Sequence, residues 1–143
     1  MPPTRRMTST FTTAAFLFSL LSQAAIAQHH GHRCPPLPKR QVGRAMFYGE
    51  AFHGRTMANG QPFDMNALTA ASRTLPLGVR ARVTNQRTKQ AAVITITDRG
   101  TLHAPHVIID LSAGAAQQIG LTEQEGVAPV VIQPLGFAKG VCS

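Results

Sequence analysis

Acidic residues, aromatics and cysteines are all scarce in this chain. Six aspartates and glutamates stand against fourteen lysines and arginines in 143 residues, a formal charge of +8. So basic a balance suits an anionic partner such as wall polymer, a membrane surface or nucleic acid. Tryptophan is missing, however, Tyr48 is the one tyrosine, and the arginines are scattered. The interleaving of basic and aromatic residues that builds a single-strand platform is absent, so nucleic acid is not an expected partner. Two cysteines are too few for a disulfide-dense scaffold. No internal repeat, heptad pattern or second domain can be read.

The start of the chain reads as an address. Arg5 and Arg6 precede an apolar run from Phe11 to Leu21, and Ala25-Ile26-Ala27 fits the small-x-small pattern of a signal-peptidase site. The run is too short for a comfortable permanent span. Residues 1–27 are therefore expected to be a signal peptide, and residues 28–143 carry +6 once Arg5 and Arg6 are removed. Cys34 follows His32 and Arg33, not the small apolar residues that precede a lipidated cysteine. The expectation is a soluble, monomeric, periplasmic or secreted protein with no stable membrane anchor. Export also lets Cys34 and Cys142 pair across a loop of roughly a hundred residues, worth about 4–5 kcal/mol in the chain-entropy model. The alternative is two free thiols in the tails.

Past a polar, proline-bearing arm over residues 28–41, the pattern turns to short strands. Val42 to Tyr48 reads as one, and Val79 to Val83 alternates apolar and basic residues. Ala92 to Thr97 follows after the polar Asn85 to Lys89 segment, which predicts a hairpin. Val107 to Leu111 and Val127 to Ile132 complete the strands, the last interrupted by Pro129. Ser112 is a good N-cap for a helix over 113–119 that stops at Gly120. Asn66 to Ser72 is expected to form a second short helix or helical turn. Many short strands with turn signals favour a small closed barrel or sandwich over a parallel α/β sheet.

Two segments carry the chemistry. They are Met57-Ala58-Asn59-Gly60-Gln61-Pro62-Phe63-Asp64 and Thr97-Asp98-Arg99-Gly100. Each sets a carboxylate near glycine, which lets backbone turn tightly or approach a ligand. Read alone, Asp98 is as well explained by a turn aspartate bonding nearby amides as by a catalytic group. His103 and His106 are close in sequence, but without a third ligand no zinc site is expected. Cleavage after Ala27 would expose Gln28-His29-His30, where a free amine and a histidine at the third position can wrap Cu²⁺ or Ni²⁺. A solvated histidine-rich tail, or a cyclised Gln28, explains the same residues. No cofactor and no other metal site is expected.

Tyr48-Gly49, Phe52-His53-Gly54-Arg55, Met57-Ala58-Asn59-Gly60, Phe63-Asp64, Leu68-Thr69-Ala70-Ala71, Thr74-Leu75-Pro76-Leu77-Gly78, Val83-Thr84-Asn85, Asp98-Arg99-Gly100 and Ile109-Asp110-Leu111-Ser112 occur in order. In these blocks the chain closely resembles the rare lipoprotein A (RlpA) family of peptidoglycan lytic transglycosylases, over roughly residues 42–135. The resemblance implies a mainly β fold, a six-stranded double-psi β-barrel with one or two short helices, and a short tail over 136–143. It implies cleavage of peptidoglycan glycan strands between N-acetylmuramic acid and N-acetylglucosamine to leave 1,6-anhydro ends.

Asp98 matches the family's catalytic aspartate. Gln61 stands where the family usually has glutamate, and Ser72 where it usually has histidine. Glutamine can hold a sugar hydroxyl but cannot donate a proton as an acid. Gln61, Tyr48, Asn59, Ser72 and Arg99 are the expected substrate-binding residues. His53 and Arg55 are weaker candidates for sugar contacts, Asp64 is expected to orient its loop, and Asp110 to be structural. Two functions stay open on the sequence. One is an exported lytic transglycosylase with Asp98 as acid and base. The other is a weakly active or inactive expansin-like module that grips wall polysaccharide.

Overall fold

In a computed structural model, residues 33–100 and 104–142 are described; the expected signal peptide, His30 and His103 lie outside them. Six strands form the body: β1 (Gln41–Phe47), β2 (Thr69–Ala71), β3 (Val79–Asn85), β4 (Ala91–Asp98), β5 (Val107–Leu111) and β6 (Ala128–Phe137). They close in the order β1-β5-β2-β4-β3-β6. The β1–β5 and β2–β4 pairs are parallel and the other four antiparallel. Closure leaves no free sheet edge. This is the six-stranded barrel that the resemblance implies.

Alternation does the sorting. In β3, Val79, Ala81 and Val83 are buried while Arg80 and Arg82 are exposed. Ile94 and Ile96 of β4, Ile109 and Leu111 of β5, and Val130 and Ile132 of β6 fill the same interior. The β3–β4 hairpin forms as the polar 85–89 segment predicts. There Asn85 is fully buried, its Nδ2 donating to Ile119 O at 3.0 Å and its Oδ1 accepting from Arg87 N at 2.9 Å. Buried amides of this kind are retained because both halves are bonded.

The one α-helix among the described residues, α1 (Ala113–Gln118), starts where expected. Ser112 Oγ accepts from Ala115 N at 3.2 Å, and Gly120, at φ 68°, ends the helix in the left-handed region that favours glycine. Ala115, Ala116 and Ile119 pack into the core.

Two expectations need correction. Residues 66–72 form no helix: Thr69–Ala71 is β2, held between β4 and β5. Short apolar runs carry no intrinsic decision between helix and strand, and two ready partner strands decided this one. The last strand also runs on through Pro129 and Pro134 to Phe137. Proline cannot donate to a ladder, and Pro134 lies beside the register shift at Arg80/Ala81, where bulged pairing tolerates it. A short 3-10 turn, Glu50–Phe52, was not anticipated.

Cys34 and Cys142, near the two limits of the described residues, form a disulfide with Cα atoms 5.5 Å apart. That is an ordinary separation for the bond.

Candidate active site

The antiparallel contact of β2 with β5 at Ala70 and Ala71 joins the two parallel pairs where β1, β2, β4 and β5 finish. Ala71, the last residue of β2, pairs with Asp98 on β4 and with Asp110 on β5. Tyr48 follows β1 directly, its amide donating to Leu111 O at 3.1 Å. Together with Phe52, Arg99 and Gly100, these residues line an open cleft of about 220 Å³. Typical pockets for drug-sized ligands run to roughly 300–1,000 Å³. Only a short piece of a long polymer would enter.

The two sequence segments meet here. Residues 55–63 fold into a tight loop: Thr56 bridges Pro62, Met57 N donates to Gln61 O at 2.8 Å, and Asn59 Oδ1 accepts from Gln61 N at 3.0 Å. Buried Met57 and Phe63 anchor the loop from beneath. Its tip is tied to the end of β4, with Asn59 N donating to Thr97 O at 3.1 Å and Ala58 N to Asp98 Oδ1 at 3.0 Å. Arg99 N gives Oδ1 a second bond at 2.8 Å. Asp98 is thus fixed in place by two amides, while Oδ2 takes no hydrogen bond among the described residues. Asp98 organises a turn and also lines the cleft.

Arg99 turns its guanidinium away from solvent chemistry. Nη1 donates to Ser72 O at 2.9 Å and Leu75 O at 2.7 Å, clamping the 72–75 turn to the cleft wall. Ser72 itself is not brought to the cleft. It is fully buried, with Oγ donating to Ile108 O and accepting from Thr74 N and Leu75 N. A serine committed to three backbone partners has no hydroxyl to offer a sugar, so its expected place among the substrate contacts is corrected. Asn59 and Gln61 are exposed on the loop rim, outside the cleft lining. Asn59 spends its side-chain oxygen on the loop.

Tyr48 combines both roles foreseen for it. Its ring packs 4.5 Å from Phe63 and 5.7 Å from Phe52 between centroids, yet it lines the cleft. Its hydroxyl is buried and has no hydrogen-bond partner among the described residues. Burial first, then the charges of Asp98 and Asp110, push the phenol well above its ordinary value. It is therefore a permanent donor near both carboxyl groups.

Asp110 is the residue that sequence reasoning misplaced. It sits in a β-branched run and reads as a strand residue with a structural part, but its side chain lines the cleft. It has no hydrogen bond or ion pair among the described residues, and burial pushes its carboxyl from 3.8 up to about 6. The only available signal was the alternation of β5, which could not say what its outward face overlooks.

The remaining candidates lie outside the cleft. Asp64 Oδ1 caps its own turn by accepting from Asn66 N at 2.9 Å, as expected for an orienting residue. His53 Nδ1 accepts from Met65 N at 3.2 Å. The Arg55 guanidinium stacks 5.2 Å from the Phe52 ring centroid. No group of three or more potential metal ligands occurs among the described residues.

With this geometry in view, similarity to known proteins can be weighed. The family model described as "Lytic transglycolase" matches residues 33–132. The chain belongs to this family.

It is 53% identical over 90 residues to the probable endolytic peptidoglycan transglycosylase RlpA of Synechocystis, covering 63% of this chain and 27% of that protein. It is 43% identical over 95 residues to the endolytic peptidoglycan transglycosylase RlpA of Neisseria meningitidis serogroup A, covering 66% and 39%. A Pseudomonas aeruginosa protein of the same description is 41% identical over 98 residues, covering 64% and 28%. The chain therefore spans well under half the length of these curated relatives. Among solved structures, Streptomyces papain inhibitor matches with a TM-score of 0.51 at 21% identity, covering 70% of this chain and 97% of that one. That likeness concerns the fold alone.

Proposed function

We propose that this chain is an exported lytic transglycosylase that cuts peptidoglycan glycan strands at the bond from N-acetylmuramic acid to N-acetylglucosamine and leaves 1,6-anhydro ends. The observation that carries the reading is Asp98, held by the amides of Ala58 and Arg99 in the wall of an open cleft. The description of the relatives as endolytic peptidoglycan transglycosylases supports the same reading.

An ordinary glycosidase uses two carboxyl groups, one of them to activate water or to attack the sugar. A lytic transglycosylase needs no water, because the C6 hydroxyl of the same sugar attacks the anomeric carbon. One carboxyl group then suffices in principle, giving a proton to the leaving oxygen and receiving one from the C6 hydroxyl. Asp98 is our candidate. An open cleft suits an enzyme that acts within a long strand, since the polymer enters from the side. Tyr48 offers an unpartnered hydroxyl and the aromatic cluster a sugar-stacking surface. The description of the relatives as peptidoglycan transglycosylases supports a site of action outside the cytoplasm, in keeping with an exported chain.

Digestion of purified sacculi and of bare glycan strands, with products identified by mass spectrometry, tests this. Anhydro-muropeptides or anhydro-oligosaccharides that vanish in Asp98→Asn are the expected result. Binding to sacculi without any anhydro product would instead make the domain a wall-polysaccharide module.

A further inference from the structure

Every carboxylate in the described chain but one is either bathed in solvent or bonded. Glu50 and Glu123 are exposed, Asp64 caps its turn, Glu125 meets Arg87, and Asp98 holds two amides. Asp110 alone is half-buried with no donor to satisfy it among the described residues. A desolvated, unpaired carboxyl costs the fold free energy. Such residues persist where their chemistry is used, and Asp110 opens into the candidate active site.

Its position is as telling as its isolation. Ala71 lies between Asp98 and Asp110 in register, so the two acids stand two strands apart, about 9–10 Å between Cα atoms at ordinary strand spacing. Cross-strand partners share a face of the sheet. Ala71 is the residue of the intervening strand at this register, beside the β2–β4 register shift, and all three residues line the cleft. Tyr48 carries its unpartnered hydroxyl close enough to both for each to perturb it.

We propose that Asp110 is the proton donor of this cleft and Asp98 the receiving base, so that two carboxyl groups divide the work of glycan cleavage. The inference rests on the transglycosylase reading and deepens it: of the two proton transfers that one carboxyl group could perform in principle, Asp98 keeps the second and Asp110 takes the first. Asp110 gives its proton to the glycosidic oxygen as the C1–O bond breaks and the bonding pair leaves with that oxygen. The carboxylate of Asp98 faces the positive charge that develops on the ring. The C6 hydroxyl oxygen then supplies an electron pair to C1, closing the 1,6-anhydro bond, and its proton passes to Asp98. After the products leave, Asp98 releases that proton and Asp110 regains one from solvent, which resets the pair.

The environments fit the roles. Asp98 accepts the amides of Ala58 and Arg99 at Oδ1, and Oδ2 takes no hydrogen bond among the described residues. Asp110 has no such donor, and its burial keeps the proton on up to a pH of about 6. The charged and titratable groups that share the cleft are Asp98, Arg99 and Tyr48. The Arg99 guanidinium is engaged by the Ser72 and Leu75 carbonyls, and Tyr48 stays protonated. Activity is therefore expected to fall as pH rises through about 6, where the donor ionises.

The test uses two substrates. On natural glycan strands, Asp110→Asn should lose about 10²–10⁴-fold in rate, as removal of a general acid does. A disaccharide ending in N-acetylmuramic acid with a dinitrophenol leaving group needs no protonation, and on it most of that loss should disappear. Asp98→Asn should be slow on both. Asp110→Glu, which keeps an acid, should recover part of the activity on strands and retain a falling limb in its pH profile. Equal losses for Asp110→Asn on both substrates, or wild-type rates on strands, would overturn the assignment. If the wild-type chain forms no anhydro product at all, the transglycosylase reading fails first, and the assignment with it.

Discussion

The amide of Ala58 donates to Oδ1 of Asp98 at 3.0 Å, across 40 residues of sequence. This bond makes one site out of two segments, because the loop tip and the end of β4 hold each other. It also separates two kinds of damage at Asp98. Asp98→Asn keeps an acceptor oxygen and removes the charge, so it should fold with near wild-type stability and release no anhydro products. Asp98→Ala removes the acceptor for two amides and should in addition lose about 1–2 kcal/mol. Urea denaturation beside product analysis separates the two effects. Equal stability of both variants would show that the loop does not depend on the carboxylate.

Asp110 links stability to pH with a definite sign. Its carboxyl ionises at an ordinary 3.8 in the unfolded chain and near 6 in the folded one. Between those values the folded state keeps a proton that the unfolded state has lost, so this group makes folding less favourable as pH rises through the window. Below it both states are protonated and the group contributes nothing. Asp110→Asn removes the charge that burial penalises. Its melting temperature should exceed that of wild type above about pH 6, and the gap should close toward pH 4. A gap independent of pH would contradict the burial of this carboxyl.

Gly114 reverses a familiar rule. Within a helix, Gly→Ala usually stabilises by about 0.5–1 kcal/mol. At Gly114, in the first turn of α1, an added Cβ would meet the backbone carbonyl of Asn66 in a clash that only a shift of main chain relieves. The same turn receives the Gly114 N–H, donated to Met65 O at 2.9 Å. Gly114→Ala should therefore destabilise, by about 1–3 kcal/mol as overpacking does. Thermal melts of the variant give the sign directly.

The Cys34–Cys142 disulfide spans 108 residues. Chain-entropy reasoning gives a loop of this length about 4–5 kcal/mol of stabilisation. Reduction, or a double Cys→Ser variant, should lower the denaturation midpoint accordingly. Ellman titration of the untreated mature protein should find no free thiol.

Legibility in the sequence followed how local each interaction is. The β3–β4 hairpin and the Ser112 cap were readable because their partners lie a few residues away. The Ala67 to Ala71 run was not. Its apolar and small residues are compatible with helix or strand, and the decision came from β4 and β5, more than twenty residues downstream. Ser72 looked like a site residue because it neighbours the motifs in sequence. Its carbonyl, hydroxyl and amide are all consumed in holding the turn to Arg99, Ile108 and Asp98. Asp98 stood out through the turn-forming Asp-Arg-Gly step, whereas Asp110 hid in the hydrophobic pattern of β5.

By itself, the sequence determined which residues go inside, where the turns and caps fall, and which blocks tie the chain to its family. Those properties depend on alternation, propensity and motif, all local in the chain. Tertiary structure decided the rest. The antiparallel contact of β2 with β5 joins the parallel pairs β1–β5 and β2–β4 where those strands finish, and there Tyr48, Asp98 and Asp110 share a cleft. The elevated carboxyl of Asp110 follows from that placement, because desolvation is a property of what surrounds a side chain and not of its neighbours in sequence.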